Sequence, residues 1–181
     1  MRCIHSLVVT TALGLVCLHA SAQKAQAHSL CAADEEPVFS CMLQGSSRKM
    51  TSLCASPVST QGERRFRYLY GRPSKIELRY PASGNSQEGF TFTRISYIGD
   101  TFGYAYTFTN RGYKYILSAA WGLRYQNAGL RVQRVGEAHA LRSAECKWST
   151  LVKTYDDNIP AMTSGLKIDP DIAAHGVPST R

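Results

Sequence analysis

The sequence predicts an all-β fold: an antiparallel β-sandwich or open barrel of about eight or nine short, disulfide-bonded strands. Three observations predict it. From Val38 to about Lys147, short runs rich in aromatic and β-branched residues are separated by Gly, Pro, Asn and Asp. No segment keeps a helical period over ten residues. Four cysteines remain once the leader is set aside, an even set suited to two bridges.

The first element is an address. Arg2 gives a positive start, Leu7 to Leu18 is an apolar run, and Ala20-Ser21-Ala22 is a small-x-small cleavage site. A second such site, Ala25-Gln26-Ala27, follows closely. The apolar run falls short of the roughly 18 residues that span a bilayer, so residues 1–22 read as a signal peptide and the mature chain as lacking a membrane span. Val16 precedes Cys17, which argues against lipid attachment there. Cys3 and Cys17 leave with the leader, and Cys31, Cys41, Cys54 and Cys146 stay. None of these has CxxC spacing, so disulfides in an oxidising compartment are expected rather than zinc.

Val38–Leu43 and Met50–Ala55 read as two strands of a hairpin around Gln44–Lys49, and pairing there favours Cys41 with Cys54. Cys31 with Cys146 would then tie the domain ends together. Phe66–Tyr70 and Lys75–Tyr80 flank the turn Gly71-Arg72-Pro73-Ser74, the second alternating Ile76, Leu78, Tyr80 against Lys75, Glu77, Arg79. Phe90–Ile98 follows. Gly103–Thr109 sets Tyr104, Tyr106 and Phe108 on one side, with Ala105 and Thr107 on the other. Asn110-Arg111-Gly112 is a turn signal leading into Tyr113–Leu117, the clearest hairpin in the chain. Leu130–Val135 and a short strand around Leu141–Trp148 complete residues 23–153 as one domain. Residues 154–181, broken by Pro160, Pro170 and Pro178, read as an irregular tail with at most a short ordered piece.

Composition narrows the function classes. At 44% hydrophobic the chain of 181 residues is not disordered, and it carries no low-complexity repeat. The net charge of +8 becomes +7 without Arg2, and residues 48–153 alone hold 17 bases against 6 acids. The β-domain is the basic part, and acidic partners are favoured.

The segments Val38-Phe39-Ser40-Cys41, Ser52-Leu53-Cys54-Ala55-Ser56, Tyr70-Gly71-Arg72-Pro73 and Ile76-Glu77-Leu78-Arg79-Tyr80-Pro81, with the late Cys146, are distinctive in order and spacing. Over roughly residues 31–147 the chain resembles a group of small exported proteobacterial proteins with an FSC…CAS…YGxP…IEL…P pattern. The resemblance implies an exported β-protein and assigns no activity. A looser similarity of kind is to periplasmic lysozyme inhibitors, with Tyr80–Asn85 as an exposed loop carrying Ser83. A strongly basic domain would repel a basic lysozyme, which weighs against that reading.

Catalytic patterns are weak. His28, His139 and His175 are the histidines after the leader, and His139 lies in a turn, where a solvated residue is the plain reading. Glu63, Glu77, Glu88, Asp100, Glu137 and Glu145 offer no spaced pair for glycosidase chemistry, and Glu77 is expected to pair with Lys75 or Arg79. Asp156-Asp157 and Asp169-x-Asp171 do not fit a calcium loop and read as a solvated acidic tail. No nucleotide-binding glycine motif occurs, and neither cofactor nor metal is expected. Arg64, Arg65, Arg67, Arg72, Lys75 and Arg79 cluster beside Phe66, Tyr68 and Tyr70. Export makes an acidic protein, glycan or envelope component a better partner for them than nucleic acid. The expectation is therefore a monomeric, periplasmic or secreted, non-enzymatic binding protein, with Arg65, Arg67, Arg72, Arg79 and Ser83 as candidate contacts. The alternative is an inhibitor or immunity protein that blocks an enzyme such as a lysozyme or secreted toxin.

Overall fold

The computed structural model describes residues 28–46, 48–84, 86–97, 100–153, 163 and 165–180. The leader and both cleavage sites lie outside them, as do Asn85, Ile98 and residues 154–162. Ten strands form two five-stranded antiparallel sheets. Sheet 1 contains β1 (Glu36–Met42), β2 (Met50–Ala55), β3 (Phe66–Arg72), β4 (Lys75–Tyr80) and β10 (Val152–Lys153), in the order β10-β1-β2-β3-β4. Sheet 2 is a meander of β5 (Phe90–Tyr97), β6 (Thr101–Asn110), β7 (Tyr113–Trp121), β8 (Gln126–Arg134) and β9 (Ala140–Glu145). The chain is thus almost wholly β, as its alternation predicts. The two-residue β10 is too short to leave a periodic signal.

The sheets pack through an aromatic core. Phe66, Tyr68, Phe90, Tyr104, Tyr106 and Phe108 are buried between them. Period-two alternation puts them there: Tyr104, Tyr106 and Phe108 face inward, while Ala105 and Thr107 face out. The β6–β7 hairpin turns on Arg111 and Gly112, both at positive φ, as a two-residue turn matched to strand twist requires. After β9 the chain returns to β1: Leu43 bridges Cys146, and the Lys147 amide donates to the Met42 carbonyl at 2.8 Å. The first strand of the domain therefore touches its last.

The disulfides join Cys31 to Cys54 and Cys41 to Cys146, which overturns the expected Cys41–Cys54 and Cys31–Cys146 pairing. The reason is register. Cys41 lies opposite Thr51, and Cys54 lies opposite Pro37. Cys41 faces the core, whereas Cys54 points out of the other face of the sheet. An odd shift in register moves a side chain across the sheet, and no bridge can cross it.

Each outer sheet face carries a terminal segment. Residues 28–35 lie over sheet 1, where the Leu30 amide donates to Ser52 Oγ at 3.0 Å and Ser40 Oγ donates to the His28 carbonyl at 2.7 Å. Residues 165–180 lie over sheet 2 and include a short helix, α1 (Pro170–His175). Its Ile172 packs with Ile95, Ala105 and Ile116 in a second small core. Asp169, read from sequence as part of a solvated tail, is in fact buried. Among the described residues no helix is long and apolar enough to cross a membrane.

Candidate functional site

The inner faces of the two sheets do not close completely. At the end carrying the β3–β4 and β6–β7 turns they leave an open cleft of about 610 Å³. Its walls are built by alternation on β3, β4, β7, β8 and β9, and include Tyr70, Leu78, Tyr115, Leu130, Val132 and Ala144. Tyr80, Phe108 and Tyr115 stack in series below this mouth. The ring centroids of Tyr80 and Phe108 are 4.6 Å apart at 16°, and those of Phe108 and Tyr115 are 4.8 Å apart at 4°. Tyr115 is thus a rigid ring with one face on Phe108 and its edge of the stack at the cleft.

Charge gathers at the rim. Arg142, opposite Val132 in the β8–β9 register, lines the cleft and is exposed. Arg111 sits in the β6–β7 turn, close enough to act electrostatically on the Tyr115 phenol. Arg72 and Lys75 close the β3–β4 hairpin beside Glu77 and help hold its carboxyl below the usual range. The largest influence on Glu77 is its hydrogen bond from Lys49, at 2.7 Å. Lys49 also lies 5.4 Å above the Tyr70 ring centroid.

Glu77 therefore bonds Lys49, beside β2 of the same sheet, not Lys75 or Arg79 as its strand neighbours suggest. A bulge after Tyr70 is the cause: Tyr70 pairs with Leu78, but Gly71 pairs with Ile76, leaving Glu77 out of step. Gly71 makes the bulge possible. Its φ is 140°, and a Cβ there would lie 2.4 Å from the Lys75 carbonyl oxygen.

Within the cleft, burial pushes the Tyr68 phenol far above its ordinary pKa, and Thr51 Oγ1 donates to its oxygen at 3.1 Å. Burial likewise raises Tyr115. Both phenols stay neutral, so the cleft offers apolar ring surface inside and cations outside.

The sequence-predicted contacts are dispersed. Arg67 and Arg79 do share the outer face of sheet 1, since Leu69, two residues from Arg67, pairs with Arg79. Arg67, however, is ion-paired to the buried Glu35, and Arg64 bonds Glu36 at 2.8 Å. Arg65 and Arg79 are exposed. Arg72 is the member of the set that reaches the cleft rim. Ser83 is exposed in the loop after the cis Tyr80–Pro81 peptide, away from the cleft lining. His139 is exposed in the β8–β9 turn, in a separate open depression with Arg134, Glu137 and Thr180.

Sequence reasoning missed Lys49, Arg111, Tyr115 and Arg142, which come from three different hairpins. Among the described residues, Cys31, Glu35 and Cys54 bring ligand-type atoms within 4.8 Å of one another. Their sulfurs are bonded to each other and the carboxylate to Arg67, so this cluster is a staple.

No protein-family model, curated protein or solved structure matches this chain.

Proposed function

We propose that the chain is a non-enzymatic binding protein of the periplasm or the secreted space that takes an acidic envelope component at the basic mouth of its cleft. One observation carries the reading: Arg142 lines an aromatic concavity at the end of the sheets where the β3–β4 turn carries Arg72 and Lys75 and the β6–β7 turn carries Arg111. Glu77 adds the one carboxylate that lines it, and Lys49 neutralises that charge. A concave, largely apolar site with a few placed charges is the usual form of a ligand pocket. The two disulfides support an oxidising compartment, and the resemblance to exported proteins supports the same destination.

The test uses fluorescein-labelled poly-L-glutamate as the acidic probe. Binding is expected at 50 mM salt and is expected to vanish by 0.5 M, because exposed charges are screened within a few ångströms there. The triple variant Arg72→Ala/Arg111→Ala/Arg142→Ala should bind about tenfold more weakly. The outer-face double variant Arg65→Ala/Arg79→Ala should stay within about twofold. The reverse ranking would move the site to the outer face of sheet 1 and defeat the proposal.

The exposed Ala82-Ser83-Gly84 loop favours a second reading, an inhibitor that inserts this loop into an enzyme. It predicts one partner retained at 0.5 M salt and released by Ser83→Trp.

A further inference from the structure

We infer that the ligand of the cleft is an amphiphilic organic anion, with an alkyl or aromatic body seated between the sheets and a single carboxylate or phosphate held by Arg142. This rests on the reading of the cleft mouth as the binding site and names what enters it.

The cleft volume of about 610 Å³ falls within the range of pockets that enclose small molecules. Its inner walls are Leu78, Leu130, Val132 and the rings of Tyr68 and Tyr115. The Tyr68 oxygen already accepts from Thr51. A sugar placed there would bury hydroxyls against Leu and Val with few partners, each costing on the order of 1–3 kcal/mol. An alkyl or aryl body has no such groups to satisfy and gains by leaving water.

The polar groups of the wall are Arg142, Ser143, Glu77 and the hydroxyls of its tyrosines, and the charged pair among them sets the other half of the ligand. Glu77 is held by Lys49 at 2.7 Å, which leaves Arg142 as the cation that projects from β9 over the apolar wall. Its planar guanidinium matches carboxylate and phosphate geometry. The rim cations Arg72 and Arg111 add attraction of the same sign without lining the wall. A neutral amphiphile would leave that field unused, and a small inorganic ion would leave the walls in water.

Isothermal titration calorimetry of the full exported chain tests this with sodium decanoate and its uncharged match, decan-1-ol. Decanoate is expected to bind with one equivalent, and at least tenfold more tightly than decan-1-ol. Arg142→Ala, at an exposed position that should not disturb folding, is expected to weaken decanoate about tenfold and leave decan-1-ol unchanged. Val132→Trp, which fills the cleft, is expected to weaken both at least tenfold. Equal affinity for the two ligands, or no effect of Arg142→Ala on decanoate, would overturn the inference. Failure to bind decanoate with poly-L-glutamate still bound would overturn it alone. Failure to bind either probe would overturn both this inference and the proposed function.

Discussion

Residues 28–35 and residues 165–180 do the same job on opposite outer faces of the molecule, and they are held by different chemistry. Over sheet 1 the fastening is covalent: Cys31 is bonded to Cys54, and Glu35 is ion-paired to Arg67 beside it. Over sheet 2 the fastening centres on one carboxylate. Asp169 accepts from Thr107 Oγ1 at 2.6 Å and from Lys114 Nζ at 3.1 Å. It also caps α1 through the Asp171 and Ile172 amides, and its own amide donates to Thr93 Oγ1. A disulfide acts mainly by restricting the unfolded chain, whereas a buried carboxylate acts through contacts in the folded one. The disulfide is indifferent to pH, and the Asp169 carboxylate is not.

The largest expected effect comes from breaking the carboxylate. Asp169→Ala removes the cap and leaves the half-buried Lys114 with Asp171 alone, so a loss of about 4 kcal/mol in urea-measured stability is expected. Amide exchange should rise throughout residues 165–180 and stay unchanged in residues 28–35. A loss below about 1 kcal/mol would mean that Ile172 and Val177 hold the segment unaided. The next effect is Cys31→Ala/Cys54→Ala, which opens a loop of sequence separation 23. About 3 kcal/mol is expected on the chain-entropy model, with segment 28–35 retained through the Ser40–Ser52 hydrogen bonds.

The smallest effect is acidification. Burial alone would raise the Asp169 pKa, but hydrogen bonds from Thr107, Lys114 and the Ile172 amide outweigh it and hold the carboxyl below its ordinary value of 3.8. Its contribution is therefore complete above 3.8 and is lost as pH falls through the depressed folded value. Exchange in residues 165–180 should accelerate below pH 3.8 before that of residues 28–35. Lys114 gives the alkaline counterpart. Burial lowers its pKa, yet bonds to Asp171 and Asp169 raise it above 10.5 overall, so its support fades only beyond that value.

The comparison also shows what a sequence can reveal. Strands whose alternation is satisfied locally, such as Tyr104, Tyr106 and Phe108 on β6, were legible, and so was the Arg111-Gly112 turn. Features set by register were not. The cysteine pairing depends on Met42 meeting Met50, a detail of how the Leu43–Lys49 turn closes, and one odd step reverses the faces. Asp169 looks like any tail aspartate because Lys114 and Thr107 lie 55 and 62 positions away. The candidate site was legible only at Arg72 and Lys75, which share one hairpin. Arg142 and Tyr115 acquire meaning when the meander folds β9 over the same cleft as β7, and no local spacing encodes that.

The contact between the first strand and the last has a kinetic consequence. β1 pairs with β10, Leu43 bridges Cys146, and the Cys41–Cys146 bond closes a sequence separation of 105. A chain presented from its N-terminus can build β1 with β2 early, but the opposite edge of β1 waits for residues 145–153 to arrive. Contacts so distant in sequence make folding slow, because loop closure costs entropy before those contacts can return it. Until residues 145–153 emerge, that edge of β1 stays unpaired.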